Sequence, residues 1–212
     1  MDRVDFLDQA KKGAAEARNH DAPIMPVAAA VHAAHETGFG SSMLSQPPHH
    51  NLFGVKATGS HTPYWDGAKV VMQTWEVING RDQQVNAAFR SYRSYEHAYG
   101  DYGDVIRRVY PHAAAATRDL DFLAGLFITG PRRWATDPRI FDATARLLAY
   151  HSQDLYGTEV ADGRADILVL HRWHLRDRWR ILWGGDEAIL RMPFYWRVRR
   201  DEGVVKVDIR RA

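Results

Sequence analysis

Glu36 is the side chain of this 212-residue sequence whose position best suits acid–base chemistry. Apolar residues at i, i+3, i+4 and i+7 from Val27 predict a helix that begins at Pro26 and ends at Gly38. Glu36 would then lie in the last turn, where unpaired backbone carbonyls oppose ionisation. Phe39 adds desolvation in the same direction. We therefore expect a raised pKa at Glu36, as a proton donor to a glycosidic oxygen requires, although spacing alone also fits a surface glutamate.

A second carboxylate, Glu76, falls in a run of β-forming residues. Residues 69–78 are followed by Asn79-Gly80, which is typical of a hairpin whose second strand lies around 83–90. Glycosidases commonly use two carboxylates, one as the acid and one as the base or nucleophile. Glu76 is the candidate for the second carboxylate, and an exposed strand glutamate is the alternative.

Histidines near Glu36 raise the question of a metal site. His32 and His35 precede it in the order H-A-A-H-E, which matches neither of the zinc patterns H-E-x-x-H and H-x-x-E-H. His49 and His50 are further candidates in a loop, but a third ligand is not evident. The sequence also lacks a Gly-rich phosphate loop and a G-x-S-x-G motif. We predict no metal and no cofactor, with the histidines as ordinary polar or core residues.

The order of predicted elements indicates an α+β fold in which a β hairpin is inserted between helices. A loop rich in Pro, His, Gly and Ser precedes the hairpin. Helical periodicity appears on both sides of this insertion. The predicted helices, besides the one that begins at Pro26, cover residues 3–19, 94–109, 119–128 and 138–155, and the loop covers 45–68.

The C-terminal residues 160–212 differ in texture from the rest of the chain. Four of the seven tryptophans lie there, and residues 161–212 hold 12 Lys and Arg against 8 Asp and Glu. Short apolar runs separated by glycines predict three or four strands. We interpret this segment as a small basic β module that binds wall polymers, docks onto a larger assembly or packs as a structural cap. Nucleic acid is disfavoured because the charge excess is modest and its arginines do not form a block.

The cysteine count and the hydropathy limit which other classes of protein are possible. The sequence has no cysteine, which excludes disulfides and thiolate metal sites, and no apolar run long enough for a membrane span. The first residues do not have the pattern of a signal peptide. If the protein acts on the outer side of a membrane, we expect a virion, a holin or a secretion apparatus to deliver it.

Five motifs in order resemble glycoside hydrolase family 73, whose members are N-acetylglucosaminidases that cut bacterial peptidoglycan. The first contains Glu36 and resembles the family signature A-x-x-E-S-G-W-G-x-S. The others resemble N-L-F-G-I-K, T-x-E-Y-x-(N/D)-G, F-R-x-Y-x-S and Y-A-T-D-P. In this chain they are residues 33–42, Asn51–Lys56, Thr74–Gly80, Phe89–Ser94 and Trp134–Pro138.

This resemblance implies a lysozyme-like, mostly helical domain over residues 1–157, with the segment 51–93 as a β-lobe beside the cleft. It implies Glu36 as the catalytic acid and Glu76 as the second catalytic carboxylate. It leaves the mechanism open between retaining, inverting and substrate-assisted routes. The implied substrate is the glycan strand of the bacterial cell wall, and a muramidase is the less favoured alternative.

Four further residues are candidates for substrate binding: Asn51, Phe53, Tyr92 and Trp134. The chain departs from the family at Trp134, where the family usually has a tyrosine thought to assist catalysis. Indole cannot replace a phenol in acid–base chemistry, but it can stack on a sugar. Either Trp134 is a binding platform, or a group such as Tyr92 supplies the hydroxyl. A catalytically weak or inactive component of a phage tail or secretion machine, which only binds peptidoglycan, is the alternative function.

Overall fold

The computed structural model describes residues 1–78, 80–135, 137, 139–151, 154–155, 181–184, 187–191, 194–201 and 204–211. The chain divides into two compact units, Met1–Leu148 and Ala149–Ala212. None of the described helices is long and apolar enough to cross a membrane. The first unit contains helices and a two-stranded sheet, which confirms the predicted mixed architecture.

Helix α1 covers Arg3–Asn19, as the periodicity predicts. Asp2 caps it, because its side chain accepts a hydrogen bond from the backbone N–H of Asp5 at 2.8 Å. One face of the helix is buried and forms part of the core of the first unit. This face contains Phe6, Leu7, Ala10, Gly13, Ala14 and Ala17.

Helix α2, Pro26–Thr37, carries Glu36 and is buried along most of its length. Its buried alanines, Ala28, Ala29, Ala30, Ala33 and Ala34, allow other elements to pack closely around it. Asp119, at the start of a later helix, accepts a hydrogen bond from the backbone N–H of Ala28 at 2.9 Å. Gly38 ends the helix in the left-handed conformation, with φ at 59°, and its N–H bonds the carbonyl of Ala34. The predicted start and end of α2 are therefore confirmed.

Strands β1 (Lys69–Ile78) and β2 (Arg81–Arg90) form the antiparallel hairpin predicted from Asn79-Gly80. Their register pairs Lys69 with Arg90 at the base and Ile78 with Arg81 at the tip. The loop before the hairpin contains a short 3-10 helix, Met43–Ser45, that the sequence pattern did not predict.

A buried ion pair fastens the base of the hairpin to the next helix. Arg90 donates from Nη1 to both carboxylate oxygens of Asp101, at 2.8 and 2.9 Å. The hydroxyl of Tyr92 donates to the same carboxylate at 2.6 Å, and that of Thr62 donates at 3.0 Å. The guanidinium of Arg90 also lies over the ring of Trp65, 4.1 Å from its centroid. These contacts give Arg90 a structural role at the base of the hairpin.

Four more helices follow the hairpin among the described residues. Their fully buried side chains include Tyr99, Tyr102, Phe122, Leu123, Leu126 and Leu148. The last of them covers residues 139–150 of the predicted range 138–155, of which 138, 152 and 153 lie outside the described residues. The bounds are α3 Tyr95–Val109, α4 Pro111–Ala114, α5 Asp119–Phe127 and α6 Arg139–Tyr150.

The second unit contains four described strands: β3 Ile181–Gly184, β4 Glu187–Arg191, β5 Phe194–Asp201 and β6 Val204–Arg211. They form one antiparallel sheet in chain order. Residues 156–180 lie outside the described residues. The domain boundary that the sequence places between 157 and 160 therefore stays a prediction.

Candidate active site

Glu36 lies one residue before the end of α2, and its side chain is 28% exposed. One turn earlier on the same helix face, the Nε2 atom of His32 lies 3.1 Å from its Oε1 atom. The Nδ1 atom of His32 lies 2.9 Å from the hydroxyl oxygen of Tyr102 on α3. Three polar groups thus form a chain that runs from the buried core to a partly exposed carboxyl group.

Aromatic rings enclose His32, whose side chain is fully buried. Its ring centroid lies 5.3 Å from that of Phe53, 5.1 Å from that of Phe127 and 5.0 Å from that of Trp134. Phe53 in turn stacks on Tyr102, with centroids 3.9 Å apart. The environment behind Glu36 is therefore apolar apart from the hydrogen-bonded chain itself.

Trp134 is held beside this chain by its backbone, whose N–H donates to the carbonyl of Leu126 at 2.9 Å. Its indole N–H also favours the ionised form of the Glu36 carboxyl group and so lowers the pKa of that group. A nitrogen donor thus stands at the position where family members usually carry a phenol. The sequence interpretation of Trp134 considered only stacking on a sugar and did not include this polar contact.

The pKa of Glu36 differs from the sequence-based expectation. Burial does raise it, but the hydrogen bond with His32, the positive charge of His32 and His35 and a smaller contribution from the indole of Trp134 together lower it by more. The net pKa lies below the ordinary value of 4.5, so the expected increase was wrong. The sequence interpretation overlooked His32, one turn earlier on the same helix, and periodicity gave no information about the segment around Trp134.

Burial lowers the pKa of His32 below its ordinary value of 6.5, despite the attraction of Glu36. A positive charge on His32 is among the causes that lower the pKa of Glu36, but such a charge conflicts with a ring that is fully buried. We assign a neutral ring, since desolvation dominates at a fully buried imidazole. The neutral ring can still donate one N–H to Glu36, and this hydrogen bond is what stabilises the carboxylate.

Asn51 and Phe53, two of the predicted substrate-binding residues, are buried. The Asn51 side-chain amide donates to the carbonyls of Val55 and Arg90, at 3.0 and 2.8 Å. Its oxygen accepts from the backbone N–H groups of Phe53 and Val55. The motif therefore folds its own turn and joins it to β2, and direct contact with substrate stays a prediction.

Tyr92 lies in the hairpin anchor, where its hydroxyl donates to Asp101. Burial and the carboxylate of Asp101 raise its pKa far above the ordinary range for tyrosine. A hydroxyl held in this way has a clear structural role. The suggestion that Tyr92 supplies a hydroxyl to the substrate, in place of the family tyrosine, stays a prediction.

Glu76 lies on β1, paired with Gln83 on β2. The side chain of Glu76 lies outside the described residues, so its role as the second carboxylate stays a prediction. The two loop histidines bond within the fold: Nδ1 of His49 to the hydroxyl of Ser91 at 2.9 Å, and Nδ1 of His50 to the carbonyl of Tyr92 at 3.0 Å. Among the residues that the structure describes, no cluster of three or more His, Cys, Asp or Glu side chains could hold a metal ion.

His32 and Tyr102 are site residues that the sequence interpretation did not assign to catalysis. The four-residue separation of His32 and Glu36 was a usable signal, since it places both side chains on one helix face. The partner on α3, 70 positions away, had no comparable signal.

A helical domain with a two-stranded lobe and a partly buried carboxyl group at a helix end is typical of the lysozyme-like class of folds. Comparison with known proteins is more specific. The sequence pattern of the glucosaminidase family, described as mannosyl-glycoprotein endo-beta-N-acetylglucosaminidase, matches residues 12–154. The chain belongs to this family, which corresponds to glycoside hydrolase family 73.

Relatives of known name agree with this assignment. The chain is 31% identical to an autolysin of Enterococcus faecalis, over 60% of its own length and 17% of the relative. It is 37% identical to the peptidoglycan hydrolase FlgJ of Escherichia coli strain K12, over 50% of its length and 33% of the relative. It therefore spans a third or less of these relatives. The catalytic domain of the autolysin Auto from Listeria monocytogenes superimposes with a TM-score of 0.61 at 26% identity, covering 73% of this chain and 86% of that domain.

Proposed function

We propose that this chain is a peptidoglycan hydrolase that cleaves the glycan strand as an endo-beta-N-acetylglucosaminidase, with Glu36 as general acid. The observation that carries it is the Glu36 carboxyl group. It is partly exposed and lies 3.1 Å from Nε2 of His32, in a chain of the glucosaminidase family. The names of the autolysin and FlgJ relatives support peptidoglycan as the substrate.

Glu36 is ionised in the free protein, so it must take up a proton before it can act as an acid. A bound sugar would cover the part of the side chain that is still exposed. Loss of this remaining water raises the pKa of a carboxyl group. The protonated Glu36 then donates to the glycosidic oxygen as the bond to the anomeric carbon breaks and positive charge develops on the sugar ring.

Glu76 is our candidate for the second carboxylate, either positioning water or stabilising the oxocarbenium ion. In a substrate complex, carboxyl groups about 5 Å apart would favour a retaining route, and about 6.5–9.5 Å an inverting one. Attack by the substrate's own N-acetyl oxygen would need only Glu36. The rates of Glu76→Gln and Glu76→Ala, compared with wild type, distinguish this substrate-assisted route from the other two. Both variants keep near-normal rates only if the N-acetyl oxygen attacks.

Mass spectrometry of the fragments released from purified peptidoglycan tests the activity. We expect wild type to release fragments with reducing-end N-acetylglucosamine, and folded Glu36→Gln to release at least 100-fold fewer, a typical contribution of a general acid. Reducing-end N-acetylmuramic acid would make the protein a muramidase. Equal release by Glu36→Gln would refute Glu36 as the acid, and no release by wild type would favour the binding or structural role.

Residues 160–212 are, in our proposal, a docking or wall-binding module rather than part of the catalytic domain. Their excess of Lys and Arg suits anionic wall polymers or an acidic surface of a phage tail or secretion assembly. The substrate places the site of action at the cell wall, and we propose delivery by a virion, a holin or a secretion apparatus.

A further inference from the structure

The buried His32–Tyr102 pair is not needed for the acid step itself, yet both nitrogens of His32 are engaged. Nε2 faces Oε1 of Glu36 at 3.1 Å, and Nδ1 faces the Tyr102 hydroxyl at 2.9 Å. Both His32 and Tyr102 are completely buried. A polar pair enclosed this completely is costly unless its hydrogen bonds are made, so its geometry is tightly defined.

We propose that His32, held in one tautomer by Tyr102, is a positioning residue that fixes which oxygen of Glu36 carries the catalytic proton. This inference rests on the proposed role of Glu36 as the acid. Tyr102 contributes at one remove, through the ring of His32.

The tautomer follows from the two partners of His32: the ionised carboxylate of Glu36 can only accept, so the ring proton lies on Nε2 and Nδ1 accepts from the Tyr102 hydroxyl. Burial raises the pKa of Tyr102 far above its ordinary value, so the hydroxyl keeps its proton. When this O–H donates to Nδ1, the single ring proton of neutral His32 lies on Nε2 and is donated to Oε1 of Glu36. Oε1 is then occupied as an acceptor whether Glu36 is ionised or protonated. An incoming proton must bind Oε2, the oxygen that stays available to the substrate.

The opposite tautomer would be unproductive. With the ring proton on Nδ1, donated to the oxygen of Tyr102, Nε2 would become an acceptor. Protonated Glu36 would then donate its own proton to Nε2, and that proton would be withdrawn from the glycosidic oxygen. Tyr102 thus selects between a state that presents the acid proton and one that hides it.

Glu36 and Tyr102 are the main polar groups around His32. On α2 the ring faces Glu36 and senses the more distant His35, on α3 it faces Tyr102, and elsewhere the rings of Phe53, Phe127 and Trp134 enclose it. Tyr110 contacts Trp134 rather than His32. No carboxylate besides Glu36 contributes to the shift in the pKa of His32. We therefore expect the ring to be neutral at neutral pH.

Nitrogen-15 NMR of the full chain tests the tautomer without reference to activity. We expect His32 to show a protonated Nε2 and an unprotonated, hydrogen-bonded Nδ1 at neutral pH. In Glu36→Gln, whose amide can donate as well as accept, we expect Tyr102 to hold the same tautomer, and the further change Tyr102→Phe to give a mixture of tautomers. A ring protonated at Nδ1, a doubly protonated ring at neutral pH, or an unchanged tautomer when Tyr102→Phe is added to Glu36→Gln would overturn the inference.

The pH dependence of cleavage tests the consequence, with His32→Leu as the variant and His32→Gln as the matched control that keeps an N–H donor. Loss of the donor in His32→Leu removes a bond to the carboxylate, so the pKa of Glu36 rises. The alkaline limb of kcat/KM should move to higher pH, and the maximal kcat should fall about 100-fold because the carboxyl group is no longer oriented. His32→Gln should keep the limb of wild type and lose less than about tenfold.

Thermal unfolding midpoints of wild type and of every variant distinguish a positioning role of His32 from a role in folding. If His32→Leu keeps the wild-type limb, and its activity loss only follows its loss of thermal stability, His32 is structural and the inference fails. An inactive wild type would instead refute the proposed function, whereas the NMR tautomer tests the His32 assignment independently.

Discussion

At the scale of single residues, two opposing effects act on Glu36. Removal of water favours the neutral acid, while donors from His32 and Trp134 favour the carboxylate, and the donors dominate in the free protein. A bound sugar changes only the first of these effects, because the donors lie behind the carboxyl group. The same side chain can therefore be a carboxylate at rest and an acid when the substrate is bound.

This balance predicts that kcat/KM and kcat for hydrolysis of a soluble glycan oligomer fall at different pH values on the alkaline side. The limb of kcat/KM reports the free protein and that of kcat the complex. Activity is lost as pH rises through the pKa of Glu36, because the acid must be protonated. Since that pKa is low in the free protein and raised by substrate, kcat/KM should fall at lower pH than kcat. Coincident limbs in steady-state pH profiles would contradict this mechanism.

Trp134 allows a test of the second donor. Trp134→Phe keeps an aromatic ring but removes the indole N–H that favours the Glu36 carboxylate, so kcat/KM should fall about tenfold at low pH. Trp134→Tyr restores a donor at the position where the family usually has tyrosine, and we expect it to retain most activity. Equal losses in both variants, measured on the same substrate, would point to ring shape rather than to the donor.

At the scale of elements, the site depends on how α2 ends and how the hairpin is fastened. Gly38 adopts the left-handed conformation and ends α2 at Thr37, so Glu36 lies in the last turn. The Arg90–Asp101 pair joins the base of the hairpin to α3, the helix that also carries Tyr102. Both features lie in the same unit as the acid and define where the lobe begins.

Gly38→Ala should disturb the end of α2. Its φ of 59° is strained for any residue with a Cβ, and the added atom would lie 2.8 Å from Oγ of Ser41. We expect the free energy of unfolding to fall by about 1 kcal/mol in urea titrations. Gly38→Asn, which tolerates this conformation better, is the control and should lose less. Equal stability of Gly38→Ala and wild type would argue against a constrained end of the helix.

Asp101→Asn should be strongly destabilising. It leaves the guanidinium of Arg90, whose side chain is 10% exposed, without its charged partner, and such losses cost roughly 3–5 kcal/mol. Urea denaturation followed by tryptophan fluorescence measures the change. Asp66→Asn, which breaks the exposed pair with Arg93, is the matched control and should have little effect. Similar midpoints for the two variants would refute the anchoring role.

At the scale of the whole molecule, the chain consists of two units with different composition. The first contains the family's motifs and the proposed acid, whereas the second contains a sheet within a basic, tryptophan-rich segment. If this segment binds anionic wall polymers, co-sedimentation of the full chain with purified cell walls should weaken as salt increases from about 50 to 300 mM. Walls stripped of anionic polymers are the control. Binding that ignores both salt and stripping would favour a structural cap.

The sequence by itself determined the local elements and the family. Apolar periodicity, a proline at the start and a glycine at the end predicted α2 and placed Glu36 in its last turn. Asn79-Gly80 predicted the hairpin, and ordered motifs indicated the glucosaminidase family. These features depend on neighbours a few positions apart, so the order of residues contains them directly.

Only the tertiary structure decided the electrostatics of the site. The donor to His32 comes from Tyr102, 70 positions along the chain, and the second donor to Glu36 comes from Trp134. Periodicity along one helix suggested a raised pKa, because it showed the helix carbonyls and a nearby aromatic ring but none of these donors. A pKa responds to every group within a few ångströms, and packing of distant segments determines which groups those are.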